Sequence, residues 1–275
     1  MSNTNHRFAD LFESLKTKNE GAFVPFVNVC DPTPEISLAI LESLIEAGAD
    51  ALELGIPFSD PCADGPVIAA SAHRALCNGA SPAKCLDVIK QFRAKHPTVP
   101  VSIMLYINLV FAPTPDKFFQ ACAESGVDAV LIPDLPVSMR EMDKTFDEAA
   151  AKHGVELIAI VPPATEDDQL VRIAKYAKGY TYLLSRPGIT GADKEAGMPL
   201  TQSVEKLEAN GAAPGILGFG VSKPEHVRHA MEHGAAGVVV GSAIVRIINE
   251  HIDDTATMLS EIKKYVSEMK AACKR

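Results

Sequence analysis

Eight short apolar runs punctuate the chain: FVPFVNV (23–29), ALELGIP (51–57), VSIMLYI (101–107), AVLIPD (129–134), ELIAIV (156–161), YTYLLS (180–185), GILGFG (215–220) and GVVVGS (237–242). Each is rich in β-branched, aromatic or long aliphatic residues, apolar on both faces, and bounded by Pro, Gly, Asn, Asp or Ser. A strand without polar alternation is one buried on both sides, as in a parallel sheet covered by helices. The recurrence of such runs is the strongest constraint on what the chain can become.

The intervening segments carry helical signals. From Glu35 to Ala47, the residues Ile36, Ala39, Ile40, Leu44 and Ala47 form an apolar stripe. Ser138 is placed to cap a helix running to His153, with Glu141 completing a capping box. Lys223-Pro224 opens another helix, with Ser222 as the expected cap. EAGADA, ESGVDA and EHGAAG end helices in glycine and lead directly into strands. After the second run the crossover is long, with a loop and helices near 67–77 and 82–95. A leading amphipathic helix spans 5–17, and 243–270 form a closing helical region. Strand followed by helix, eight times over, predicts an α/β fold: a single-domain (β/α)8 TIM barrel over residues 1–275 with an extra N-terminal helix. An open doubly wound sheet is the alternative, and eight evenly spaced units suit closure better.

Composition narrows the function. Apolar residues make up 47% of the 275 positions, enough for a large core. Lys plus Arg number 26 against 35 Asp plus Glu, a net charge of −9. With no basic tract, nucleic acid is a poor partner, and a cytoplasmic location is expected. The six cysteines form no C-x-x-C pair, which argues against a zinc site or disulfide framework. The N-terminus lacks the apolar stretch of a signal peptide, and no apolar run is long enough to span a bilayer.

In a barrel of this kind chemistry gathers at the C-terminal ends of the strands. Glu53 alternates with Leu52 and Leu54, so it points away from them, on the face it shares with the small residues Ala51 and Gly55. A salt bridge to a neighbouring strand would be the structural explanation, but none of the eight runs contains Lys, Arg or His. Asp64 follows on the loop from the same strand and can face Glu53 across a ligand. An Asx-turn with Gly65 is the competing explanation for Asp64, and Asp60 before Pro61 has a similar one. Two carboxylates around one pocket suggest general acid–base work. Late in the chain GITG (188–191), GFG (218–220) and GSA (241–243) expose backbone N–H groups on successive loops, with Ser242 adding a hydroxyl at a helix start. Turn chemistry alone could ask for these glycines, but their clustering after late strands favours a phosphate site. No strand-end Lys is available for an imine. No ligand cluster suits a metal, and His229 and His233 sit on a helix expected outside the barrel. Bond cleavage by carboxylates, without metal or imine, is the chemistry left.

Taken in order, FVPFVNVCDP, LELGIPFSDPCADGP, MLYINLVF, YTYLLSRPGITG, LGFGVS and GVVVGSAIV resemble the signature segments of the tryptophan synthase α subunit family, over essentially the whole chain. The resemblance implies retro-aldol cleavage of indole-3-glycerol phosphate to indole and glyceraldehyde 3-phosphate, at the last stage of tryptophan biosynthesis. It implies that Glu53 is the acid–base catalyst and that Asp64 accepts a hydrogen bond from the indole N–H. Phe26, Met104, Leu131, Ile160, Tyr182 and Phe219 would form the indole pocket. Gly191, Gly220, Gly241 and Ser242 would bind phosphate. Thr190 would bond Asp64 when a lid at 186–197, with Gly188, Gly191 and Gly197, closes. The resemblance further implies an α2β2 heterotetramer in which the β subunit carries pyridoxal phosphate and this chain carries no cofactor. Pro57, Asp60, Asn108 and Pro136 would meet that partner.

Three positions depart from the family's pattern: Cys30 where glycine is usual, Pro187 in the lid, and VSMRE (137–141) where acidic residues are common. Two other readings remain at this level. One is a free-standing indole-3-glycerol-phosphate lyase, against which Pro57, Asp60 and Asn108 speak. The other is a non-catalytic phosphate-binding regulatory barrel, against which Glu53 and Asp64 speak.

Overall fold

The computed structural model describes residues 6–163, 165–184 and 200–275. Its strands are β1 Ala22–Asn28, β2 Leu52–Gly55, β3 Val101–Met104, β4 Ala129–Leu131, β5 Glu156–Leu157, β6 Ala159–Val161, β7 Thr181–Leu184, β8 Gly215–Gly218 and β9 Gly237–Val240. All neighbours pair in parallel, in the order β5-β4-β3-β2-β1-β9-β8-β7-β6. The two ends of that order are consecutive in the chain, separated only by Ile158. Eight predicted runs therefore become nine strands because the fifth divides. Its first part follows β4, with the Ile158 N–H donating to the Val130 carbonyl (2.9 Å), and its second follows β7, with Ala159 opposite Thr181. That handover closes the sheet on itself, which an open doubly wound sheet does not do.

Alternation along the strands sorts side chains into two cores. Leu52, Leu54, Val101, Ile103 and Val130 belong to the outer core under the helices. Ala51, Phe26, Leu131, Tyr180, Tyr182 and Ile216 belong to the inner core. Glu53 lies between Leu52 and Leu54 and so shares the inner face, wholly buried, in register with Phe26 on β1 and Ser102 on β3. The leading helix, Arg7–Lys18, contributes Phe8, Phe12 and Leu15 to the same inner core, with the Phe8 ring 5.2 Å from that of Tyr180. Arg7 and Arg93 tie this end together by sharing the Asp128 carboxylate at 2.6 and 2.8 Å.

The helices begin as their sequences suggest. Proline occupies the first turn of Pro34–Glu46, Pro82–Lys95 and Pro115–Glu124, where its missing N–H costs nothing, and Thr33, Ser81 and Thr114 cap them. Three expectations need correction. The buried stripe of Pro34–Glu46 is Ser37, Ile40, Leu41 and Leu44, so the predicted stripe is rotated: Ile36, Ala39 and Ala47 lie at its margin. The helix expected from Ser138 to His153 is two, Val137–Met142 and Thr145–Lys152. Asp143 is extended there, its carboxylate accepts from the Thr145 N–H (2.9 Å), and Ser138 makes no cap. Arg140 turns inward across the break and bonds Asp147 (2.6 Å) and the Tyr176 carbonyl (3.2 Å). Finally, Lys223 and not Ser222 is the N-cap of Pro224–Glu232, extended just before Pro224, and the Ser222 N–H donates to His226 Nδ1 at 3.3 Å.

Cys30, in the first loop, sits at φ 66°, the left-handed region that favours glycine. Here the thiol is buried, 3.8 Å from Cys85 Sγ.

Candidate active site

A cavity of about 290 Å³ opens at the C-terminal ends of the strands. Glu53 and Asp64 both line it, as do Phe26, Met104, Tyr182 and Phe219 from the expected aromatic and apolar wall. Gly220, Gly241 and Ser242 line it as well. Leu131 and Ile160 do not. They pack in the inner core with Phe26 and Tyr182, and Ile160 also borders a separate cavity of about 260 Å³ beside Pro136 and Arg172. Thr190, Gly191 and the rest of the 186–197 segment lie outside the described residues.

Among the described residues, Glu53 is held by one hydrogen bond. The Tyr180 hydroxyl donates to its Oε1 at 2.5 Å, and the Ser102 hydroxyl stands 3.0 Å from that of Tyr180. Oε2 is buried with no hydrogen-bond partner among the described residues, which leaves it for a ligand. Burial pushes the Glu53 carboxyl up to about 7, and the Tyr180 bond only partly opposes this. A carboxyl so placed can both give and accept a proton near neutral pH.

Asp64 precedes the helix Pro66–Cys77, whose N-cap is Gly65. That helix is clamped to the end of β1. The Asn28 amide donates to the Ile68 carbonyl and the Ser71 hydroxyl, both at 3.1 Å. Arg74 grips Asp31 through two bonds of 2.7 Å, with the Ser71 hydroxyl adding a third at 2.6 Å. Burial raises the Asp64 carboxyl, and a bond with the neighbouring Tyr106 hydroxyl works the other way. The same hydroxyl accepts the Ala63 N–H at 3.0 Å, so Tyr106 braces the loop.

The other end of the cavity is built for an anion. Ser242 opens the helix Ser242–Glu250 behind Gly241, and no side chain caps its first turn. Across from it, Phe219 and Gly220 take φ of 66° and 76° in succession. For Phe219 that conformation costs about 1–2 kcal/mol, and a strained residue at a cavity rim is characteristic of ligand sites. Tyr265 fixes this loop by donating to the Ser222 carbonyl at 2.9 Å.

Sequence reasoning missed Tyr180, Tyr106, Ser222 and Arg246. Tyr180 was within reach, since period two puts it on the same face as Tyr182. Arg246 lies four residues after Ser242 on one helical face and Ser222 two after Gly220, whereas Tyr106 reaches the Asp64 loop from a segment about forty residues on. His229 and His233 do sit on a helix outside the barrel, and with Glu232 they form the only cluster among the described residues with metal-ligand spacing, largely exposed.

Asp60, Asn108 and Pro136 are exposed, whereas Pro57 is buried within the chain. Beside Asn108 and Pro136 stand the exposed apolar residues Phe111, Met139 and Met142. The Ile107 N–H donates to Asp134 Oδ1 at 2.9 Å, joining the two loops that carry them.

A family model described as tryptophan synthase alpha chain matches residues 12–274. The chain is 53% identical over 268 residues to the tryptophan synthase alpha chain of Klebsiella aerogenes, covering 98% of each. It is 51% identical over 269 residues to that of Escherichia coli O127:H6, covering 98% of this chain and 99% of the relative. Among solved structures, the tryptophan synthase subunit alpha of Legionella pneumophila superposes with a TM-score of 0.85 at 30% identity, over 97% of this chain and 98% of the other. A chain from the tryptophan synthase α2β2 complex of Pyrococcus furiosus gives 0.79 at 34% identity, over 92% and 99%.

Proposed function

The chain belongs to the tryptophan synthase alpha chain family, and from that premise we propose how its residues divide the family's reaction. It is a carbon–carbon lyase of tryptophan biosynthesis that splits indole-3-glycerol phosphate into indole and glyceraldehyde 3-phosphate, within an α2β2 complex.

Glu53 starts protonated and gives its proton to the indole ring carbon that bears the side chain. The resulting carboxylate then takes the proton of the glycerol hydroxyl as the carbon–carbon bond breaks. The hydroxyl-bearing carbon leaves as the aldehyde, the bond's electron pair returns to the ring, and Glu53 ends protonated again. Asp64 accepts a hydrogen bond from the ring N–H and stabilises the positive charge that ring protonation creates. Phe26, Met104, Tyr182 and Phe219 supply the apolar wall for indole. Gly220, Gly241 and Ser242 hold the phosphate through backbone N–H groups and a hydroxyl, joined by Gly191, with Thr190 bonding Asp64. Leu131 and Ile160 support the wall from the inner core.

The observation that carries this reading is Glu53 itself: wholly buried, raised to about 7, with Oε2 unpartnered at the cavity. Glu53→Gln should abolish indole release while leaving the circular dichroism spectrum intact; turnover above about a tenth of the parent rate would remove Glu53 from the chemistry.

We further assign to the β subunit's contact surface Asp60, Asn108 and Pro136, with Pro57 shaping the first of these loops. The exposed Phe111, Met139 and Met142 beside them suit that role, since an apolar patch of this kind is covered in an assembly. Residues 1–275 act as one domain. No cofactor is assigned to this chain, and pyridoxal phosphate belongs to the β subunit. Among the described residues no helix is long and apolar enough to cross a membrane, and the cytoplasm is the location proposed.

A further inference from the structure

The phosphate end of the cavity, as read above, offers dipoles but no net charge. Backbone N–H groups and the Ser242 hydroxyl orient a phosphate ester, yet such a group carries about −1.5 to −2 charges at neutral pH. The whole chain carries −9, so a dianion approaches against the overall field. The acidic groups on the cavity wall, Asp64 and Glu53, add no positive charge, and Arg246 is the one cation among the described residues that line it.

Arg246 is the fifth residue of Ser242–Glu250, four after Ser242 and therefore on the same helical face. Helical side chains lean toward the N-terminus, so this one extends back over the uncapped first turn. That turn contains no acidic residue, and the guanidinium makes no ion pair or hydrogen bond with a described residue. A cation set toward the positive end of a helix is unfavourable by itself and becomes favourable when an anion docks between them. Arg246 also lies near enough to Tyr265 to act on its phenol, which burial raises, and the Tyr265 hydroxyl bonds the Ser222 carbonyl. The guanidinium thus stands beside both loops that would enclose the phosphate.

We infer that Arg246 supplies the countercharge for the substrate's phosphate and selects phosphorylated over neutral indole-glycerol compounds. This rests on the phosphate reading of the cavity. Its role is in binding and capture, because it stands on the helix that opens at Ser242, at the phosphate end of the cavity, and its guanidinium keeps its protons at neutral pH.

The test uses the α2β2 complex. Calorimetry would give the affinity for sn-glycerol 3-phosphate, and steady-state kinetics the KM and kcat for indole-3-glycerol phosphate. Arg246→Gln should weaken glycerol 3-phosphate about tenfold at low salt and raise KM similarly, with kcat changed less than about threefold. The difference should shrink at high salt, and Arg246→Lys should keep most of the affinity. Indole-3-propanol, which lacks phosphate, should bind both proteins equally. Unchanged affinity for glycerol 3-phosphate in R246Q, or an equal loss for indole-3-propanol, would overturn the role of Arg246 while the phosphate reading stands. A parent complex that leaves glycerol 3-phosphate unbound would overturn both.

Discussion

The Tyr180 hydroxyl donates to Glu53 Oε1 across 2.5 Å, joining two buried residues 127 positions apart in the chain. This bond is the one contact that orients the carboxyl among the described residues, and it opposes the effect of burial on its proton affinity. Removing it in Tyr180→Phe should move Glu53 to a still higher value. The pH midpoint of kcat assigned to Glu53 should therefore rise. Turnover should fall about 10- to 100-fold, the equivalent of a lost hydrogen bond to a charged group. A pH–rate profile with an unmoved midpoint would mean that Tyr180 only fills space.

The raised value of Glu53 makes the fold sensitive to pH. Between about 4.5, the ordinary value, and about 7, the folded protein holds a proton that the unfolded chain has lost. This carboxyl's contribution is therefore most favourable below about 4.5, declines as pH rises through that interval, and levels off above about 7. The whole interval is worth about 3 kcal/mol at about 1.4 kcal/mol per pH unit. Glu53→Gln carries no such charge, so relative to the parent it should gain most of that amount between pH 5 and pH 8. Urea denaturation at the two pH values checks this; parallel losses in both proteins would contradict it.

Phe8 links the leading helix to the catalytic apparatus through its ring contact with Tyr180. It is wholly buried, so Phe8→Ala should cost about 3–5 kcal/mol. Because the cavity left would border Tyr180, turnover of the folded fraction should also drop. Chemical denaturation gives the first number and activity in native buffer the second. A loss under about 1 kcal/mol would show that the helix merely covers the barrel end without filling it.

Gly218, at the end of β8, has room for no side chain. A Cβ there would lie 2.2 Å from the Tyr182 hydroxyl oxygen and 2.3 Å from Cζ. The ring is rigid, so Gly218→Ala must push Tyr182 into the cavity or displace the strand. KM should rise more than kcat falls, with a stability loss of about 1–3 kcal/mol. Unchanged KM would place the Tyr182 ring outside the substrate's path.

Much of the architecture was legible because burial on both faces leaves a sequence mark. The eight runs and the helical segments between them announced a closed barrel. Glu53 stood out because a carboxylate in an apolar strand has few structural explanations. Thr33 and Ser81 cap helices that carry Pro in the first turn, and neither was among the expected caps. The expected caps failed at Ser222, where Lys223 is the N-cap, and at Ser138, where the helix already starts at Val137 behind Pro136.

What the sequence determined alone is local and periodic: strand and helix type, the face on which Glu53 points, and the glycine clusters of the late loops. What only the tertiary structure decided is pairing at a distance. The fifth run divides because its first half must bond β4 and its second β7 to close the ring. Tyr180 became the partner of Glu53, Phe8 the plug behind Tyr180, and Arg246 the cation on the cavity wall, while Leu131 and Ile160 receded into the core. Period two and period 3.6 tell which way a side chain faces. They do not tell what stands opposite, because that depends on the curvature and closure of the whole sheet.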